Sequence, residues 1–174
     1  MEQNNIILIG MPGAGKSTVG VVLAKRLGFH FIDTDLLIQA RERKRLQEII
    51  DTQGLEYFRH VEEQVLLNLQ LEHNIIATGG SVIYYQSGLS ALNQTGHIIY
   101  LEVPLQALQQ RIADMGQRGL VMAKGQTFEQ LYNERTPLYE KYAELIIHCD
   151  GLNTEQVAAQ IEHRIAQLWP DLLT

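Results

Sequence analysis

The sequence predicts a single α/β domain built on a mostly parallel, five-stranded sheet. Three observations carry that reading. Short apolar runs alternate with amphipathic segments, the pattern of strands joined by helical crossovers. Residues 6–9 (IILI) lead into Gly10-Met11-Pro12-Gly13-Ala14-Gly15-Lys16-Ser17-Thr18 and then into a helical segment, so strand, glycine loop and helix follow in the order phosphate binding requires. The 174 residues contain no internal repeat, low-complexity tract or linker, and 45% are hydrophobic, enough for one core.

The elements follow in order. Residues 6–9 read as a buried strand and 19–27 as the first helix, closed by Gly28. Residues 29–33 are the second strand. A helix over about 35–43 runs into Arg41-Glu42-Arg43-Lys44-Arg45, a solvated helix end. A short helix over 46–53 closes at Gly54, and a longer one over 55–71 sets Phe58, Val61, Val65 and Leu69 near helical spacing. Residues 74–78 form the third strand, which ends in Gly79-Gly80-Ser81. Residues 87–94 are a short helix, 97–101 the fourth strand, and 104 or 105 to about 115 another helix. The glycines of 116–125 suggest a mobile loop. Thr127 is an N-cap with Gln130 at capping-box spacing, and its helix is expected to bend or break at Pro137. Residues 145–148 are the fifth strand, and Thr154 caps a final amphipathic helix reaching Leu168.

Composition excludes several classes of function. The formal net charge of -6 argues against a broad nucleic-acid or anionic-membrane surface, while leaving room for a local basic pocket. A single cysteine, Cys149, rules out an internal disulfide and fits a reducing compartment. The polar residues 1–5 lack the basic flank of a signal peptide, and no apolar run approaches membrane-spanning length. The expectation is a soluble, cytoplasmic monomer. The six histidines show no zinc-ligand spacing and read as surface or packing residues.

The candidate chemistry lies beyond the carboxyl ends of the strands, where open parallel sheets bind ligands. In the glycine loop, the amides of Gly13, Ala14, Gly15, Lys16, Ser17 and Thr18 are placed to cradle phosphates, assisted by the helix N-terminus. Lys16 reaches the outer phosphates and the Ser17 hydroxyl ligates Mg²⁺. After the second strand, Asp33 and Asp35 fall on one side if the chain stays extended. One carboxylate would hold Mg²⁺ or its water shell and the other would accept a hydrogen bond from an attacking hydroxyl. The plainer alternative is that Asp35 caps the next helix. Gly79-Gly80 lets backbone approach a ligand closely. Arg59, with Glu62 and Glu63 three and four residues on, reads by itself as a helix-surface ion pair. Arg118 and Arg135 read by themselves as exposed residues.

Taken together, these motifs resemble the shikimate kinase family, small relatives of the nucleoside monophosphate kinases. The resemblance runs from Ile6 to about His148. It rests on the glycine loop, Asp33-Thr34-Asp35, Phe58-Arg59 with Glu62, Gly79-Gly80, an arginine-bearing lid at Arg118, and Glu134-Arg135-Thr136-Pro137-Leu138-Tyr139. It implies a three-layer P-loop NTPase fold with sheet order 2-3-1-4-5, in one kinase domain spanning 1–174, with a mobile lid over about 116–126 that closes on binding. It further implies ATP and Mg²⁺ as cofactors and a small acceptor bearing a carboxylate and a hydroxyl. Asp35, Arg59, Gly80 and Arg135 match the family's substrate-binding positions, with Gly79 and Ser81 beside them. On this resemblance the two arginines pair with the acceptor carboxylate and Asp35 contacts its hydroxyls as candidate base. Asp33 orders Mg²⁺ through water, Arg118 closes over the transferring phosphoryl group, and Arg111 lies near adenine.

The chain departs from the family pattern at three places. It has Gly79-Gly80-Ser81 for three glycines, Arg118-Gly119-Leu120-Val121 for Arg-Pro-Leu-Leu, and Gly54-Leu55 for Gly-Glu. For Ser81 two accounts are open, a hydroxyl that points away from the acceptor or one that enters its pocket; the first is the expectation. The function expected is transfer of the ATP γ-phosphoryl group to the 3-hydroxyl of shikimate in aromatic amino acid biosynthesis. The alternatives are a paralogue acting on homoserine or gluconate, and a nucleotide-binding switch. Asp51-Thr52-Gln53-Gly54 has the D-x-x-G form of a switch but lies between two helical segments, and no Asn-Lys-x-Asp signature accompanies it.

Overall fold

Strand β1, Asn5–Ile9, is buried at all five positions, because it lies at the centre of the sheet with both faces covered. The computed structural model of the protein describes residues 3–115, 122 and 125–173. Within them β2 (His30–Asp33), β3 (Asn74–Ala77), β4 (Gly96–Glu102) and β5 (Leu145–His148) join β1 in the order β2-β3-β1-β4-β5. Every neighbouring pair is parallel, and Ile7 stands between Ile76 on β3 and Ile98 on β4. This is the sheet order that the family resemblance implied.

Helices connect the strands. Helix α1 is Lys16–Leu27, α2 Thr34–Glu42, α3 Leu46–Gln53, α4 Leu55–Leu67, α5 Gln86–Thr95, α6 Leu105–Met115, α7 Phe128–Tyr142 and α8 Thr154–Leu168. Helix α1 packs against α8 and over β3, while α5 packs against α4 and β4. The main core joins the sheet to these helices through residues such as Leu8, Leu23, Ile99, Leu108 and Ile161. A second apolar cluster, of Ile38, Ile49, Phe58, Val61 and Val65, ties α2, α3 and α4 into a unit of their own. That unit carries Asp35, Arg59 and Glu62. No helix among the described residues is long and apolar enough to cross a membrane.

The local signals held in several places. Gly28 closes α1 in the left-handed region at φ 74°, its amide donating to Ala24 O. Thr127 and Gln130 form a reciprocal capping box at the start of α7. Elsewhere the structure corrects the expectation. Helix α7 runs through Pro137 to Tyr142. A proline removes only one amide donor, and packing beyond it holds the helix together. Tyr139 is fully buried, its ring 5.2 Å from that of Tyr100, and its hydroxyl donates to Gly80 O at 2.5 Å. The cap of α8 is Asn153 and not Thr154: its Oδ1 accepts from Gln156 N, and Gln156 Oε1 accepts from Asn153 N, both at 2.9 Å. Helix α4 ends at Leu67, short of residue 71. Residues 116–121, 123 and 124, and with them most of the expected lid, lie outside the described residues.

Candidate active site

The glycine loop turns directly into α1. Gly15 is the N-cap of that helix at φ 93°, a left-handed conformation that favours glycine. The loop is drawn tight by a bond from Ala14 N to Met11 O at 3.1 Å. Lys16 opens the helix, is buried, and donates from Nζ to Gly10 O at 2.7 Å and Met11 O at 2.9 Å. Its ammonium therefore stands in the mouth of the loop. Burial lowers the Lys16 pKa, opposed by the nearby carboxylate of Asp35 and reinforced by Arg135.

Beside the loop, Ser17 Oγ donates to Asp33 Oδ2 at 2.6 Å. Asp33 Oδ1 accepts from the amides of Asp35 at 2.9 Å and Leu36 at 3.4 Å, which makes Asp33 the N-cap of α2. The cap is thus Asp33 and not Asp35. The strand-alternation argument also fails here, because the chain turns helical at Thr34. The two carboxylates nevertheless stand close. The Asp35 carboxyl is pushed upward, first by burial and then by Asp33, against the opposing pull of Lys16. A hydroxyl and a carboxylate oxygen side by side at a phosphate loop fit Mg²⁺, which takes one or two protein oxygens and completes its shell with phosphates and water.

The end of β3 brings the remaining pieces together. Gly79 N donates to Thr34 Oγ1 at 3.2 Å, tying the glycine pair to the start of α2. A Cβ placed on Gly79 would collide with Glu62 Oε1 and lie 2.9 Å from Asp35 Oδ1. One placed on Gly80 would lie 2.9 Å from Arg135 Nη1 and 3.0 Å from Pro12 Cδ. The absence of side chains at 79 and 80 therefore lets the phosphate loop, the α2 carboxylate and Arg135 converge. Arg135, which by itself read as an exposed residue and by the family resemblance as a substrate-binding one, is 2% exposed.

Ser81 is fully buried, and its hydroxyl donates to Glu62 Oε2 at 2.6 Å. Tyr85 donates to the same oxygen at 2.7 Å. Burial pushes the Glu62 carboxyl up to about 7, despite these two donors, which lower it. The ion pairing expected for Arg59 is corrected. Its Nη1 bonds Glu56, three residues earlier, at 3.0 Å, while Glu62 turns inward to Ser81 and Tyr85. Arg59 Nε is buried and has no hydrogen-bond partner among the described residues.

On the far side of the glycine loop, Arg111 Nη1 donates to Gly13 O at 3.2 Å. It lines a cleft with Ala14, Gly15, Val19, Cys149, Leu152 and Asn153. Ser17 and Thr18 are exposed on the first turn of α1. Arg118 lies outside the described residues. Sequence reasoning named Glu62 in the family motif but gave it no place in the site, and it missed Tyr84, Tyr85 and the cleft wall after β5. A signal for Glu62 existed. It lies four residues after Phe58 and four before Leu66, so it falls inside the apolar stripe of α4.

The family model described as Shikimate kinase matches residues 12–166. The chain belongs to the shikimate kinase family. A shikimate kinase of Clostridium botulinum is 40% identical over 141 residues, covering 79% of this chain and 83% of its own. One of Vibrio vulnificus is 36% identical over 163 residues, covering 92% and 95%. Among solved structures, the shikimate kinase of Acinetobacter baumannii in complex with shikimate superposes with a TM-score of 0.87 at 32% identity, covering 95% of this chain and 94% of that one. Shikimate kinases thus match both the sequence and the three-dimensional arrangement over nearly the whole chain.

Proposed function

We propose that this chain transfers the γ-phosphoryl group of ATP to the 3-hydroxyl of shikimate, a step of aromatic amino acid biosynthesis. The observation that carries the reading is the place of Gly80. A Cβ at this position would meet both Pro12 of the phosphate loop and Arg135, so the donor loop and an arginine suited to a carboxylate share one wall. The complex of the Acinetobacter baumannii relative with shikimate supports the choice of acceptor.

On this reading the loop amides of Gly13 to Thr18 and the α1 N-terminus hold the ATP phosphates, and Arg111 flanks the base cleft. Lys16 Nζ leaves its loop carbonyls to meet the outer phosphates. Ser17 and Asp33 hold Mg²⁺, which neutralises phosphate charge when bound. Arg59 and Arg135 hold the acceptor carboxylate, while the backbone of Gly79 and Gly80 borders the ring. Asp35 orients the 3-hydroxyl and accepts its proton as the oxygen attacks the γ-phosphorus and the bond to the β-phosphate oxygen breaks. Arg118, on a lid over about 116–126, covers the transferring group. The chain acts as one domain and as a cytoplasmic monomer.

The test is ADP release measured with shikimate, homoserine, gluconate and nucleoside monophosphates. Turnover is expected with shikimate alone at micromolar to millimolar KM. Turnover with another acceptor and none with shikimate would overturn the assignment. Rapid ATP hydrolysis without any acceptor would overturn the kinase reading itself.

A further inference from the structure

Tyr84 lies on the short 3₁₀ turn Val82–Tyr84 that follows the glycine pair. Three contacts meet at its phenol. Arg135 Nε donates to Tyr84 Oη at 3.3 Å, and the Arg135 Cζ stands 5.3 Å from the centre of the Tyr84 ring. The Tyr84 hydroxyl in turn donates to Glu134 Oε1. The other oxygen of Glu134, Oε2, accepts from Gln126 Nε2 at 2.8 Å.

The direction of these bonds matters. A phenol has one proton, and here it is committed to Glu134. The oxygen then presents a lone pair to Arg135 Nε, while the ring face adds a cation–π attraction. Glu134, steadied by Gln126, sets the direction of the phenol proton and so indirectly the aim of the guanidinium. A long arginine side chain loses considerable rotamer freedom when it is ordered, and a ligand that must order it binds more weakly. An arginine already fixed in a plane binds a planar carboxylate without that cost.

We infer that Tyr84 is a positioning residue for acceptor binding, holding the Arg135 guanidinium in the orientation that receives the acceptor carboxylate. This rests on the reading above that Arg135 binds that carboxylate. Tyr84 touches neither the nucleotide loop nor Asp35 in the contacts described, so its influence falls on acceptor affinity and not on the chemical step.

The test is a double-mutant cycle with Tyr84→Phe and Arg135→Ala. Kinetics are measured with shikimate and ATP, and shikimate binding is followed without ATP by the shift in thermal midpoint. Tyr84→Phe keeps the ring and removes only the hydroxyl, so the turn is expected to fold. It is expected to raise the KM for shikimate about threefold to tenfold, the scale of one lost hydrogen bond, with kcat and the KM for ATP within about twofold. In the Arg135→Ala background it is expected to have no further effect. An equal loss in both backgrounds, an effect on kcat alone, or an unchanged shikimate KM in a folded Tyr84→Phe protein would each overturn the inference. If Arg135→Ala alone leaves shikimate binding intact, the role given to Arg135 falls, and the inference with it.

Discussion

Ser81 Oγ and Glu62 Oε2 are 2.6 Å apart in a fully buried hydrogen bond, at the position where this chain carries a hydroxyl in place of the family's third glycine. The serine hydroxyl is committed to this carboxylate, which also accepts from Tyr85; on the first of the two accounts given above it stays clear of the acceptor. Ser81→Gly should therefore leave kcat/KM for shikimate within about threefold, while lowering stability by roughly 1.5–3 kcal/mol above about pH 7, where the Glu62 carboxylate it bonds is ionised. Steady-state kinetics and thermal unfolding check the two halves. A tenfold or greater gain on shikimate would place the hydroxyl in the acceptor's path instead.

Lys16→Met should reduce kcat roughly 100-fold or more, because the ammonium stabilises charge on the outer phosphates as transfer proceeds. The fold should survive, since methionine can follow the same buried path without a charge to desolvate. Near-normal turnover in a protein with an unchanged circular dichroism spectrum would refute the role given to the glycine loop.

Asp35→Asn should lower kcat by about 100-fold or more while changing ATP affinity little, as the amide cannot take the hydroxyl proton. The wild-type rate should also fall toward acid pH. The raised Asp35 pKa means that the ionised base is lost at a higher pH than for an ordinary aspartate. Loss of ATP binding with kcat preserved at saturation would move Asp35 to the nucleotide side.

Arg59→Ala should raise the KM for shikimate by about tenfold or more and leave that for ATP nearly unchanged, because a charge-assisted contact to a carboxylate is removed. Stability should hardly change. The bond to Glu56 is exposed on both sides, 39% and 88%, and such pairs contribute little. If a neutral sugar proves the best acceptor, the roles of both arginines are wrong.

Glu62→Gln tests the buried carboxylate through stability. The folded-state pKa is raised from 4.5 to about 7, so the folded protein holds the proton more tightly than the unfolded chain does. Its contribution is fully present below the unfolded value and is lost as pH rises through the folded one. Wild type should accordingly lose stability relative to Glu62→Gln between about pH 4.5 and pH 7, by about 3 kcal/mol at most. Urea titrations of both proteins at pH 5 and pH 8 measure the difference. Parallel pH profiles would show that Glu62 ionises as freely in the folded state as in the unfolded chain.

Much of the fold was legible because its signals are local. The run at 6–9, the glycine loop and the Gly28 stop each fix backbone conformation within a few residues. Strand order is not local, and it came through the family resemblance. Asp33 and Asp35 were compared by strand alternation, but the Asp33 side chain itself starts the helix by capping the amides of Asp35 and Leu36. Taken by itself, Arg59 was paired with Glu62 and Glu63 by helical spacing, although the apolar residues on either side of Glu62 in the stripe send it inward and Glu63 accepts from Ser87. Pro137 was read as a bend or a break, and the break does not occur, because packing of Tyr139 on Tyr100 outweighs one missing amide donor. A local cap decided the first case, and tertiary packing decided the other two.

The central place of β1 bears on how the protein is made. β1 is hydrogen-bonded on one side to β3 and on the other to β4, which ends at Glu102. During synthesis the strand that precedes the phosphate loop therefore waits, with at least one edge unpaired, for about a hundred residues to emerge. A nascent chain halted inside α5 would hold β3 but not β4, and so would leave one edge of an apolar strand open. Such a stalled fragment is a natural client for a holding chaperone, because β4, the second neighbour that braces the loop's strand, does not yet exist.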